Sequence, residues 1–308
     1  MSSTWRDPSS ARQAAVLFLC SQAARFPRGL ADRLLGMAGM AVGIIEPLRV
    51  ARAYGWAGAH GQRGTVRWRT VLAILAHRGH ALVDHWTPVF EDPGAFRRRV
   101  RIDGQEYLEA AQGHPTILLG FHLGSPLTSW GLAAHGHDCI VAVAGGWDFT
   151  GRATPRAGWR ASQDTERITV AARDSGASER AIALHRLRGL LLAGRTVRVL
   201  GDGTSGRELF RVCAPGGTLI VRSGWWLLRR QTGAVTMPVL AHRERSTAVV
   251  TIYPPLPAPT ADPVADAARC RAQLLPVIQD FVRRHPDQCL PWVLDSAPES
   301  GEVDAIAP

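Results

Sequence analysis

The chain has 308 residues, 46% hydrophobic and 20% charged, which fits a folded protein with a large core and excludes a disordered one. Its net charge is +10, and all 36 basic residues are arginine, because the sequence holds no lysine and no asparagine. That excludes a Schiff-base lysine, a phosphate-loop lysine, a Ser–Lys dyad, an asparagine in an oxyanion hole and N-glycosylation, and it favours a negatively charged partner.

Nucleic acid, an anionic membrane surface and an acidic carrier protein all carry that charge. The arginines are scattered, with short clusters at Arg97–Arg99, Arg229–Arg230 and Arg283–Arg284, and there is no aromatic-interleaved basic motif or zinc finger. Nucleic acid is therefore not an expected partner. The five cysteines (Cys20, Cys139, Cys213, Cys270, Cys289) are odd in number, far apart and without a C-x-x-C. This argues against a disulfide framework or zinc ribbon and for a reducing cytoplasm.

In chain order, the first features are two apolar stretches, Gln13–Ala24 and Leu34–Ile45, with Arg25, Arg28, Asp32 and Arg33 between them. The N-terminus does not read as a signal peptide, and neither stretch reaches the ~18 to 20 residues of a spanning helix. They read as two buried helices or as an interfacial anchor. A third helix is expected over about Val66 to Trp86, where His77, His80 and Asp84 share one face. That trio is either a two-His, one-carboxylate metal site or a solvated helix face.

From Arg101 strands and helices alternate. Strands are expected at "TILLGF", "CIVAVA", "RITVAA", "TVRVLG", "AVTMPVLA" and "TAVVTIYPP". Helices are expected from about Ser125, over Glu179–Leu192, over roughly Leu219–Arg230 and over Pro263–Arg284. The pattern predicts an α/β fold, with a mostly parallel central sheet flanked by helices. Residues 1–100 would form an N-terminal helical region, 101–295 the α/β domain and 296–308 a disordered tail.

His122 ends the first of these strands, in "GFHLGSPL". This stretch resembles the histidine motif of the bacterial lipid A late acyltransferases and, more broadly, of the membrane-associated lysophospholipid acyltransferases. "VRIDGQEYLEAAQGHPTILLGFH" is similar to that branch's lead-in and "LRGLLLAGRTVRVLGDG" to its helix, strand and aspartate. "GAVTMPVLA" resembles its proline-bearing strand. The tail "YPPLPAPTADPVADAARCRAQLLPVIQDFVRRHPDQCLPW" resembles its closing helix and proline-glutamine-tryptophan signature. The resemblance runs from about Arg101 to Trp292 and implies a glycerolipid-acyltransferase-like fold. It also implies transfer of an acyl group from a carrier-protein or coenzyme A thioester to a hydroxyl or amine of a lipid or small-molecule acceptor. A bacterial cytoplasmic protein is expected, with peripheral attachment to the inner face of the cell membrane as an option, a place in lipid or secondary metabolism, and no cofactor and no metal.

In that reading His122 is the general base. The backbone N–H groups of Gly124 and Ser125, at a helix start, would stabilise the oxyanion. Five residues after His122, where the family has an acid, stands Leu127. Asp202, which also ends a strand, is the replacement expected to orient the imidazole; on its own it reads equally as a turn aspartate. Arg207 would bind a substrate phosphate, with Arg160 and Arg156 as further candidates. Two other readings stay open. One is an altered acyltransferase fold that binds lipid or carrier protein without turnover. The other is a nucleotide-dependent enzyme using "GDGTSG" (Gly201–Gly206), which requires a helix directly after that loop. Trp225 and Trp226 read as core packing or as an acyl-chain groove.

Overall fold

The computed structural model describes residues 18, 22–23, 25–85, 87–137, 139–144, 167–170, 177–202, 207–244 and 247–289. It opens with helices α1 (Arg28–Ile44), α2 (Pro47–Ala59), α3 (Gly64–His85), α4 (Thr87–Phe90) and α5 (Pro93–Arg98). Next come β1 (Val100–Asp103), α6 (Gln105–Ala110), β2 (Thr116–Gly120) and α7 (Thr128–Ala134). Strands β3 (Ile140–Ala144) and β4 (Arg167–Val170) precede α8 (Ala177–Leu192) and β5 (Thr196–Leu200). A hairpin follows, β6 (Glu208–Ala214) and β7 (Gly217–Arg222), then α9 (Gly224–Thr232). Strands β8 (Val235–Glu244) and β9 (Thr247–Ile252), helix α10 (Pro263–Arg284) and a 3-10 turn at Pro286–Gln288 complete it.

Seven strands form one sheet in the order β1-β9-β8-β2-β5-β3-β4. Only the β8–β9 pairing is antiparallel; the other five are parallel. The fold is therefore α/β with a mostly parallel sheet and N-terminal helices, as the alternation of elements predicts. β2 lies mid-sheet and every one of its residues is buried, as its unbroken apolar run requires. One sheet face packs Ile117, Leu119, Val197 and Val199 against helices α2, α3, α8, α9 and α10. The other packs Leu118, Met237 and Val250 against α5, α6 and α7. Trp56 and Ile74 of the N-terminal helices belong to the first core.

Closure of α1 on α3 depends on glycine. A Cβ at Gly79 would sit 1.8 Å from the Leu35 carbonyl oxygen, so the two backbones approach too closely for any side chain there. Helix α10 begins as its sequence signals. Asp262 accepts the Val264 N–H at 2.9 Å, Pro263 takes the first helical position, and Arg283 and Arg284 meet the negative end of the dipole.

Two expectations are corrected here. The helix expected over Leu219–Arg230 is strand β7 followed by α9, because Pro215-Gly216, with Gly216 at φ +86°, turns a hairpin. The helix expected from Ser125 begins three residues later, at Thr128. Residues 296–308 lie outside the described residues, as does most of Gln13–Ala24.

Candidate active site

β2 and β5 pair in parallel, with Thr116 opposite Thr196 and Gly120 opposite Leu200. Extending that register by two residues sets His122 opposite Asp202 at the carboxyl edge of the sheet, where α/β folds place their sites. The Gly201 N–H donates to the Gly120 carbonyl at 2.8 Å and carries the ladder past the strand ends. Asp202 then grips His122 twice. One carboxylate oxygen accepts the His122 backbone N–H at 2.8 Å, and the other lies 3.0 Å from Nδ1 of the ring. The Asp202 side chain is 3% exposed and the imidazole 45% exposed. A carboxylate on Nδ1 holds a proton there and leaves the Nε2 lone pair for a substrate. Burial works against the imidazolium, but the Asp202 hydrogen bond and charge outweigh it and Arg198 opposes them; the net pKa lies above the usual histidine value.

Leu127 is fully buried in the second core with Met237 and Val250. The carboxylate beside the imidazole comes instead from Asp202, two residues past the end of β5.

The loop after His122 is clamped from three sides. His77 of α3, which is buried, approaches the Gly124 carbonyl through Nε2 at 3.1 Å. The Gly124 N–H donates to the Gln288 carbonyl at 3.0 Å, and the Ser125 N–H to Ala241 of β8 at 2.7 Å. Gly124 sits at φ +70°, and a Cβ there would lie 2.1 Å from the Ala241 oxygen, so only glycine fits. These bonds correct the oxyanion assignment. Both amides expected to face a substrate oxygen already serve protein carbonyls, and Ser125 lies outside α7.

The Ser125 hydroxyl donates to Asp84, which is fully buried. Arg28 of α1 reaches the same carboxylate at 2.8 Å, and Arg243 of β8 reaches it through Nε at 2.9 Å. Arg243 also donates to Asp32 at 2.7 Å, and Arg28 to Glu91 at 2.7 Å. Burial alone would raise the Asp84 carboxyl, but Arg243 and Arg28 hold it below its ordinary value. The Gln288 side chain accepts the Arg243 N–H and donates to its carbonyl, both at 2.8 Å. The trio His77, His80 and Asp84 is thus neither a metal site nor a solvated face. Its carboxylate is occupied by two guanidiniums in a buried ionic cluster. Among the described residues no group of three or more His, Cys, Asp or Glu is placed to hold a metal ion.

Burial drives the His77 pKa down to about 4. The ring stays neutral in the fold, so its Nε2–H donates to Gly124. An unfolded chain takes up that proton below about 6.5, whereas the folded one resists until about 4. The stabilising contribution is complete above pH 6.5 and is lost as the pH falls toward 4, on the order of 3 kcal/mol in total. Urea unfolding at pH 7 and pH 4.5 is expected to show this loss in the wild type and a smaller one in His77→Gln.

Arg207 is exposed at the start of β6, where its carbonyl accepts the Ser223 N–H at 2.9 Å; no side-chain bond ties it to the dyad among the described residues. Arg156 and Arg160 lie outside the described residues. The nucleotide reading is overturned, because the chain after Gly201–Gly206 enters strand β6 and the next helix starts only at Gly224. Trp225 is core, and Trp226 donates to Asp266 at 2.7 Å. Sequence reasoning missed Arg198, a charged residue inside the mid-sheet strand β5; its signal was that one arginine in the otherwise apolar "TVRVL".

No protein-family model matches the chain, and no curated protein matches it.

Proposed function

We propose that the chain is an acyltransferase of glycerolipid-acyltransferase-like fold. It moves an acyl group from a carrier-protein or coenzyme A thioester to a hydroxyl or amine of a lipid or small-molecule acceptor. The observation that carries this reading is the His122–Asp202 pair at the carboxyl edge of parallel strands, with Nδ1 held and Nε2 left for substrate. His122 takes the acceptor's proton as its oxygen or nitrogen attacks the thioester carbon. Asp202 fixes the tautomer and offsets the charge of the imidazolium. When the carbon–sulfur bond breaks, the thiolate leaves with the proton that His122 carries. No covalent enzyme intermediate is needed. Incubation with acyl thioesters and candidate acceptors, followed by mass detection, tests the reading: acylated acceptor and free thiol form with the wild type and not with His122→Ala.

One observation favours the second reading, binding without turnover: the engaged amides of Gly124 and Ser125. It predicts a thioester-binding protein that releases no thiol with any acceptor.

The N-terminal helices support work at an anionic membrane surface. Ile45, just after α1, and Leu48, in the first turn of α2, are 76% and 80% exposed, and Leu30, Leu34 and Met37 are exposed on α1. Arg33 and Arg52 are exposed on the same helices, and Arg25 is exposed just before α1. Among the described residues no single helix is long and apolar enough to cross a membrane. An apolar face rimmed by arginines suits the headgroup boundary instead. The protein is expected to co-sediment with phosphatidylglycerol vesicles at low salt and to release as salt rises. Ile45→Asp with Leu48→Asp is expected to abolish co-sedimentation while leaving the fold unchanged.

A further inference from the structure

Arg198 stands one strand from His122 and on the same side of the sheet. Its register partner on β2 is Leu118, in the second core, whereas Val197 and Val199 point into the first. Continuing that alternation along β2 brings Gly120 and then His122 to the side that Arg198 occupies. Gly120 makes room for it. A Cβ at Gly120 would lie 3.3 Å from one terminal nitrogen of the Arg198 guanidinium and 3.7 Å from its Nε. The guanidinium therefore lies across the last residue of β2, next to the dyad. Its Nε is fully buried and has no hydrogen-bond partner among the described residues. The nearby Asp202 carboxylate gives both its oxygens to His122.

A buried donor without a partner costs stability, so an unpaired guanidinium N–H beside the dyad suits an anion that arrives with the substrate. Arginine is suited to that task, since it stays charged and presents several fixed donors. The backbone amides of Gly124 and Ser125 are bonded elsewhere, so the donor to an oxyanion beside His122 has to be another group.

We propose that Arg198 is the anion-binding residue of the dyad site and holds the carbonyl oxygen of the acyl donor as negative charge develops on it. This deepens the acyltransferase reading and rests on it for the identity of the anion. The attacking acceptor atom bonds to the thioester carbon and pushes an electron pair onto the carbonyl oxygen, opposite the guanidinium. The pair returns as the carbon–sulfur bond breaks, and the thiolate takes its proton from His122. Arg198 loses and gains nothing; it supplies fixed positive charge where charge appears.

The test has two arms. In the first, inorganic phosphate is titrated into the full chain while the His122 ring resonances are followed by NMR. A saturable shift is expected in the wild type and in the exposed control Arg211→Gln, and its loss in Arg198→Gln. Removing the cation is also expected to raise the His122 pKa, and Arg198→Gln is expected to melt no lower than the wild type. In the second arm, Arg198→Gln is expected to lower kcat for thioester transfer by about 10²–10³-fold with little change in KM, and Arg198→Lys to recover part of it. An unchanged phosphate response in folded Arg198→Gln, or a kcat within about twofold of the wild type, overturns the proposal. A wild type that transfers no acyl group to any acceptor overturns the acyl-transfer reading instead, and the phosphate arm alone then decides whether Arg198 binds anions.

Discussion

His122→Ala is expected to fold like the wild type and to lose roughly 10²–10⁴-fold in turnover, since a positioned general base contributes about that much. Asp202→Asn is expected to lose on the order of 10²-fold or more, as in triads where an amide replaces the orienting carboxylate. The amide keeps the shape but lacks the charge that opposes the imidazolium, and its NH2 group favours the other tautomer. Because the Asp202 side chain is buried against His122, no solvent ion can replace it. Leu127→Glu, which places an acid five residues after His122, is expected not to raise activity. That position is sealed in the core, and an unpaired carboxylate there destabilises the fold. Steady-state kinetics with circular dichroism on each variant separates lost chemistry from lost structure. Full activity in folded His122→Ala would remove the base from the account.

Arg243→Leu is expected to lower stability by about 3–5 kcal/mol, the usual cost of breaking a buried ion pair from one side. It leaves Asp84 fully buried with one guanidinium instead of two and leaves Asp32 beside His80 without the guanidinium of Arg243. The urea midpoint should fall with the m-value unchanged. Combining Arg243→Leu with Asp84→Leu is expected to cost less than the two single losses added, because no buried carboxylate is then abandoned. Activity should fall with Arg243→Leu as well. Asp84 holds the Ser125 hydroxyl, and the Arg243 backbone is paired with Gln288, whose carbonyl anchors Gly124. The cluster therefore couples the N-terminal helices, β8 and the 3-10 turn at Pro286–Gln288 to the loop that carries His122.

The dyad was legible because both members end apolar strands, and adjacent parallel strands bring their ends to one edge. Helix α10 was legible from its caps and apolar stripe. The hairpin was not. "TLIVRSGWWLLRR" carries two short apolar runs, LIV and WWLL, separated only by Arg222-Ser223-Gly224, so strand β7 and helix α9 read as one helix. The anchoring of Gly124 and Ser125 was also hidden, because it depends on Ala241 and Gln288, more than a hundred residues away. Asp84 shows the same limit. Helical spacing put it beside His77 and His80, but only the fold brings Arg28 and Arg243 onto its carboxylate. Arg198 was in plain view in β5, yet whether a strand arginine is paired or left unpaired is a property of packing and not of sequence.

The pH dependence of kcat/KM for thioester-dependent acylation, measured in the wild type and in Asp202→Asn, tests the dyad most directly. A base must be neutral to act, so the rate should rise with pH through the His122 pKa, which Asp202 holds above the ordinary histidine value. The account predicts a wild-type inflection above about 6.5, with both a lower inflection and a lower plateau in Asp202→Asn. A rate that does not change with pH across that range, or an inflection that stays in place when the carboxylate is removed, would contradict it.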